Sequence, residues 1–396
     1  MAGVLSHMFH SSTDVKHLAD TYRHGGQRAL QSEIERKTRE FENVKLQVAV
    51  MGESGKGKSS FINALRDLGV NDEGVAPTGV EETTKERTPY QHPTLPNVTY
   101  WDFPGIGTPG FPAKAFLKKT DFSQYDFGII VSADRFTEND AALAKRMKKA
   151  GKPFYFVRSK IDMAIKEESK KRGYNQEEMF QRIRECCTNS LTKVGIQNPR
   201  VFLLSNNDIE KYDFPELNRA LDRDLPETKK NVFLLSLPNT SLDVIKRKQE
   251  LLKHSINVLA AISGGIGVVP IPGVSLACDL ALIVSALLTM RRILGLDNAS
   301  IRKVAEKVGK DEAYLRANTQ HPWVYGDIST DQVIMLLQRS AIAIALTVAE
   351  PILDFVPIIG SIFGAASSFW VTYTVLNSSL DELVQAAHTV MQNAYN

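Results

Sequence analysis

The sequence predicts an α/β domain with a mostly parallel sheet and helices on both faces, joined to an all-α domain formed by the N- and C-terminal segments. Three observations predict this. Short apolar runs alternate with helical segments between residue 45 and about residue 225, as in a sheet covered on both faces. A glycine- and lysine-rich loop, "GESGKGKS", sits between the first run and an apolar helix. Beyond about residue 226 no strand pattern recurs, and helical and long apolar stretches take over. At 396 residues the chain is longer than one ordinary domain. The predicted division is 1–44, 45–225 and 226–396, with the first segment packing against the third.

In chain order, "ALQSEIERKTREFENV" sets Leu30, Ile34 and Phe41 at near-helical spacing among charges and predicts one amphipathic helix. Predicted strands are "KLQVAVMG", "NVTYWD", "YDFGIIVSA", "PFYFVRSK" and "RVFLLS". One helix is expected from Ser59, and "TENDAALAKRMKKAG" is expected to start at Thr137 as N-cap and stop before Gly151. "SLDVIKRKQELLKHSINVL" and "SIRKVAEKVGKDEAYL" also read as helices. Two apolar stretches, Ile256 to Met290 and about Ala341 to Leu376, share an echo in "VPIPGVSLA" and "VPIIGSIFGA". Proline and glycine interrupt helices there, so each stretch predicts a helical hairpin.

The charge balance is near neutral, 48 basic against 45 acidic residues, and predicts no nucleic-acid partner. Cys186, Cys187 and Cys278 have no metal-ligand spacing and make no disulfide framework, which suits a reducing, cytoplasmic compartment. No secretory signal is evident in "MAGVLSHMFHSSTDVKHLAD", and glycine at position 3 misses the N-myristoylation pattern.

The chemistry lies in four loops. Gly52-Glu53-Ser54-Gly55-Lys56-Gly57-Lys58-Ser59 fits G-x-x-x-x-G-K-[ST] between a strand and a helix. Glycines let the backbone curl its N–H groups onto phosphate oxygens, and the following helix N-terminus, with Ser60, adds partial positive charge. Lys58 is expected to neutralise the β- and γ-phosphates, and Ser59 to ligate Mg²⁺. Lys56 reads either as a phosphate or partner contact or as a solvated lysine. In "YWDFPGIG", Asp102 at a strand end is a metal carboxylate and the Gly105 N–H faces the γ-phosphate. In "FVRSKID", Ser159-Lys160-Ile161-Asp162 follows the guanine-reading pattern [NT]-K-x-D, because one carboxylate can accept both guanine N1–H and its 2-amino group. The Lys160 stem covers the base, and Ser159 in place of Asn or Thr predicts one weakened supporting hydrogen bond. In "FLLSNND", Ser205 and Asn206 are expected near guanine O6, by backbone and side chain.

The loop "GVAPTGVEETTKERTPYQHP" holds three candidates for a threonine that completes the metal shell, Thr78, Thr83 and Thr84, and spacing does not choose among them. Ile106 and Gly107 stand where small GTPases carry a water-orienting Gln. Slow hydrolysis by the lone chain follows, with Glu86 or a second copy completing the site.

These stretches, with "GVEETTKERTPYQHPTLPNVTYWDFPGIGT", "YDFGIIVSADRFTENDAALAK" and "YDFPELNRALDRDLPETKKNVFLLSLPN", resemble the immunity-related GTPases, the interferon-inducible p47-type family, over residues 45 to about 240. The resemblance implies a Ras-like G domain and a helical domain, GTP hydrolysis with GTP/GDP and Mg²⁺, and GTP-driven self-assembly through nucleotide faces. It also implies contacts with other GTPases of the family and reversible association with intracellular or pathogen-containing vacuole membranes, in defence against vacuolar pathogens. Its switch threonine falls on Thr84, so Lys58, Thr84, Gly105 and Glu86 form the expected catalytic set and Ser59, Thr84 and Asp102 the metal set. Lysine rather than methionine at position 58 matches the effector subclass. A nucleotide-switched scaffold with negligible turnover is the alternative, kept alive by the missing Gln. For the apolar stretches three readings stay open: buried core, membrane-inserting hairpins, or a permanent span. Lys246, Arg247, Lys248, Arg291 and Arg292 are candidate headgroup contacts.

Overall fold

The computed structural model describes Thr21, His24, Ser32, Arg36 and residues 44–69, 71–79, 84, 86–107, 120–209, 211–266, 274–318, 324–328, 331–336 and 365–395. The chain divides into two compact units, Val44–Pro238 and Met1–Asn43 with Asn239–Asn396.

In the first unit, β1 (Leu46–Met51), β3 (Val98–Asp102), β4 (Phe127–Ser132), β5 (Phe154–Arg158) and β6 (Val201–Leu203) are the five predicted strands. A sixth, β2 (Thr88–Gln91), joins them in the order β2-β3-β1-β4-β5-β6. Every pairing is parallel except β2 with β3, where Thr88 faces Asp102 and Gln91 faces Thr99. Residues 88–91 lie in a segment the sequence reads as loop. The strand is four residues long, carries Pro89 and occupies the edge, where a missing N–H breaks no second ladder. The central strands are covered on both faces: all six residues of β4 are buried, and Val48, Ala49, Val50 and Met51 of β1 are fully so.

The helices of this unit are α1 (Lys58–Leu65), α2 (Glu138–Lys149), α3 (Ile161–Glu168), α4 (Gln176–Lys193), α5 (Phe214–Asp224) and α6 (Glu227–Ser236). The predicted cap of α2 is present. Thr137 Oγ1 accepts from the Asp140 N–H at 3.2 Å, and the Asp140 carboxylate accepts from the Thr137 N–H at 3.0 Å. Gly151 stands just past its end with φ 65°. Helix α6 moves the expected boundary from about 225 to 238. It packs on β1 and β3, with Val232 and Phe233 fully buried. Lys229 Nζ donates to Asp126 Oδ1 at 2.5 Å, while Asp126 Oδ2 accepts from the Gln47 N–H at 2.8 Å, tying α6 to the starts of β4 and β1.

In the second unit, α7 (Leu242–Ile266) and α11 (Ala365–Tyr395) pack along each other, and α8 (Val274–Ile293) packs on α11. Ile245, Leu252, Ile256 and Leu259 of α7 and Leu376, Leu380 and Leu383 of α11 are fully buried, at spacings of three, four and seven that align on one helix face. The predicted helix over Ser300 to Leu315 is two, α9 (Asn298–Val308) and α10 (Glu312–Leu315). Gly309 at φ 66° ends the first, and the Asp311 side chain accepts from the Ala313 N–H at 2.6 Å to start the second.

Lys248, a predicted headgroup contact, is instead 1% exposed, with Nζ donating to Asn239 Oδ1 at 3.0 Å and to the Ile293 carbonyl at 3.3 Å. A cation at that position complements the C-terminal end of α8. The breaks of both predicted hairpins, the residues 337–364 and nearly all of the predicted N-terminal helix lie outside the described residues. No described helix is long and apolar enough to cross a membrane.

Replacing Phe233 by Ala is expected to lower the stability of the first unit by about 3–5 kcal/mol, as for other fully buried aromatic side chains. Urea unfolding of the full chain checks this; a loss below about 1 kcal/mol shows that α6 is not part of that core.

Candidate nucleotide-binding site

The five parallel strands of the first unit send their carboxyl ends to one edge of the sheet, where parallel α/β folds bind ligands. The loop after β1 crosses that edge between the loops after β3 on one side and those after β4, β5 and β6 on the other. Gly52 needs its glycine: at φ 147°, a Cβ there would lie 2.1 Å from the Val131 carbonyl oxygen. At Gly105 a Cβ would lie 2.7 Å from Ser54 Cα, so the β3 loop meets the phosphate loop backbone to backbone. A bridge between Glu53 and Ile106 fixes the same approach.

Three consecutive carbonyls of the loop are held from the β5 and β6 side. Lys160 Nζ donates to Gly55 O at 2.8 Å, Ser159 Oγ to Lys56 O at 2.7 Å and Asn206 Nδ2 to Gly57 O at 3.1 Å. Within the loop, Lys58 Nζ donates to Glu53 O at 2.9 Å, and the lysine is 6% exposed. With these carbonyls bound on the outside, the loop N–H groups and the first turn of α1 form a cradle suited to an anion.

At the β3 end, Ser59 Oγ and Thr84 Oγ1 both donate to Asp102 Oδ2, at 2.6 and 3.0 Å. Asp102 is fully buried, and its Oδ1 is without a hydrogen-bond partner among the described residues. Burial pushes its carboxyl above the usual range, against the Ser59 hydrogen bond, the Lys58 charge and the Thr84 hydrogen bond. Two hydroxyls and a carboxylate with an orphaned oxygen are the donor set of a hard divalent cation. Thr84, of the three candidate threonines, is the one hydrogen-bonded to Asp102; Thr78 lines the same cleft, and Thr83 lies outside the described residues.

At the β5 end, Lys160 adopts φ 56° and opens α3, on which Asp162 is half-buried. Asn207 Nδ2 donates to Asp162 Oδ2 at 3.2 Å, a contact the sequence analysis missed. Ser205 is fully buried, and its Oγ accepts from the Asn207 N–H at 3.3 Å.

Four expectations change. Ser159 makes its supporting bond in full, at 2.7 Å, because its short side chain lies directly over the Lys56 carbonyl. The Asn206 amide binds the phosphate loop instead of pointing to a base edge. Lys56 is neither solvated nor turned to the cleft: Nζ lies 2.6 Å from Asp134 Oδ2 and 3.6 Å from Glu53 Oε2, held by two carboxylates. The Glu86 side chain is exposed and is not part of the cleft lining. Asp134 and Asn139, which donates to Glu53 Oε1 at 2.8 Å, were also missed; "SADRFTEND" gave only a helix cap as its signal.

Behind the cleft, Asp140 is 1% exposed, and burial pushes its carboxyl up to about 6, with the Thr137 N–H opposing and the Glu53 charge adding to the rise. A raised folded-state pKa stabilises the protein fully below the unfolded value, near 3.8, and this stability is lost as pH rises through about 6. Asp140→Asn keeps an acceptor for the cap and loses the ionisation. Its unfolding free energy is expected to gain on the wild type between pH 4 and 7, approaching about 3 kcal/mol. Parallel pH profiles of the two proteins would refute this.

The sequence pattern of the interferon-inducible GTPase (IIGP) family matches residues 11–393. The chain is 39% identical over 351 residues to interferon-inducible GTPase 5 of Rattus norvegicus, covering 88% of this chain and 75% of the relative. It is 42% identical over 298 residues to T-cell-specific guanine nucleotide triphosphate-binding protein 2 of Mus musculus, covering 75% and 72%. Against interferon-inducible GTPase 1 of Mus musculus it is 39% identical over 319 residues, covering 80% and 77%. The chain therefore belongs to the interferon-inducible GTPase family and is a GTP hydrolase of the immunity-related type.

Proposed function

We propose that the chain binds GTP and GDP with Mg²⁺ in this cleft and hydrolyses GTP slowly alone and faster in self-assemblies. We further propose that it associates reversibly with intracellular or pathogen-containing vacuole membranes in cell-autonomous defence, alone or with other GTPases of its family. One observation carries the nucleotide assignment: the Asp162 carboxylate beyond β5 and the oxygen cluster at Asp102 of β3 flank the same phosphate loop. That spacing of functions suits a purine at one end and metal-bound phosphates at the other.

In this reading Asp162 accepts guanine N1–H and the 2-amino group, while the Lys160 stem covers the base and the Ser205–Asn206 backbone faces O6. The 52–60 backbone and Lys58 hold the phosphates, and the Gly105 N–H faces the γ-phosphate. Ser59, Thr84 and the orphaned Asp102 Oδ1 fit Mg²⁺, which supplies charge neutralisation on the phosphates when bound. Thr84 also links the loop before β2 to the presence of the metal.

Slow turnover is supported by Ile106 and Gly107, which stand where small GTPases carry a water-orienting Gln. A second copy or partner supplies that group. Membrane association is supported by the family and by the two apolar stretches of the second unit.

Asp162→Asn is expected to weaken GTP binding by at least about 100-fold, two charge-assisted hydrogen bonds being lost, and to favour xanthosine triphosphate. Calorimetry showing unchanged GTP affinity refutes the guanine assignment. Specific activity is expected to rise with protein concentration, and liposomes to sediment the chain with a non-hydrolysable GTP analogue and not with GDP. A flat activity profile sinks the assembly proposal, and nucleotide-independent sedimentation sinks the switch.

A further inference from the structure

We propose that Asn206 is a positioning residue that couples the base-reading loop to the phosphate cradle, and that it supplies the amide that position 159 lacks. The proposal rests on the guanine assignment above.

The motif at Ser159 ordinarily offers an Asn or Thr. A serine hydroxyl has one proton to donate, and here that proton goes to Lys56 O at 2.7 Å. The next carbonyl, Gly57 O, is reached instead from the loop after the adjacent strand β6, by Asn206 Nδ2 at 3.1 Å. The two side chains converge: a Cβ on Gly57 would lie 3.1 Å from Asn206 Nδ2 and 3.7 Å from Ser159 Oγ. Gly57 O also accepts from the Phe61 N–H at 2.9 Å, the first hydrogen bond of α1. Asn206 is thus bonded to the cap of the helix that carries Lys58 and Ser59.

The orientation of the amide is informative. Asn206 Oδ1 is buried without a hydrogen-bond partner among the described residues. The Nδ2 bond to Gly57 O holds the amide on the phosphate loop. The Asn206 side chain therefore acts on the phosphates through the loop, and any contact with the base comes from its backbone. A base contact helps every guanine nucleotide equally. A strut on the cradle helps chiefly those with a β-phosphate, GDP and GTP.

The test is the affinity of the full chain for GMP, GDP and GTP with Mg²⁺, in the wild type, Asn206→Ala, Asn206→Asp, the double variant Asn206→Ala with Ser159→Asn, and Asp162→Asn. Loss of one hydrogen bond predicts GDP and GTP weakened about 3- to 10-fold in Asn206→Ala, with GMP unchanged. Asn206→Asp, which sets a carboxylate against a carbonyl, is expected to be weaker still for GDP and GTP. The amide added at 159 is expected to restore GDP binding; if thermal unfolding shows that the double variant does not fold, the Ala and Asp variants decide. Equal losses for all three nucleotides, or no loss, overturn the strut. Unchanged binding in Asp162→Asn overturns the guanine assignment instead, so the two failures are distinguishable.

Discussion

Everything at the carboxyl edge of the sheet depends on where the carbonyls of one short loop go. A phosphate loop presents its N–H groups to an anion only if its carbonyls are directed away and held there. Gly55 O, Lys56 O and Gly57 O are held by Lys160, Ser159 and Asn206. These donors come from the segments that follow β5 and β6, strands two and three places from β1 in the sheet. The parallel topology is therefore part of the site. It delivers the base-reading residues and the donors for the cradle on the same loops, so the base and phosphate ends share one set of hydrogen bonds.

The electrostatics follow the same division. On the β3 side a fully buried Asp102 faces only hydroxyls and the Lys58 charge, and burial raises its pKa. On the β4 side Lys56 is matched by Asp134 and Glu53, and the Asp134 carboxyl is held below its usual range chiefly by the Lys56 hydrogen bond. The loop thus has one lysine, Lys56, neutralised by carboxylates and another, Lys58, held by a backbone carbonyl. A carbonyl compensates less of an ammonium charge than a carboxylate does. Lys56 therefore belongs to the carboxylates on the β4 side, while the Lys58 charge acts on Asp102 on the β3 side.

The sequence made the motif positions and the five parallel strands legible, because each rests on a local requirement. Gly52 must approach Val131, Lys58 must follow a glycine cap, and a two-face-buried strand must be continuously apolar. What was not legible depends on partners distant in sequence. The destination of Asn206 is 149 positions away at Gly57, and that of Lys56 is 78 away at Asp134. Edge strand β2 is too short and too polar to show a period. Helix α6 carries an ordinary helical pattern, and only its burial on β1 and β3 assigns it to the first unit. Lys248 reads as a surface charge until its neighbours Asn239 and Ile293 are known.

The same reasoning narrows the apolar second unit. Ile256, Leu259, Ile283, Leu287 and Met290, all within the first apolar stretch, are fully buried on the described parts of α7 and α8. Moving such side chains to a membrane surface gains no apolar contact that they lack, while the packing they leave forfeits about 1.5–3 kcal/mol for each one left exposed. The parts of the stretch nearest residues 242–260 and 283–293 therefore serve the core. For these positions burial, which hydropathy alone does not reveal, identifies the core.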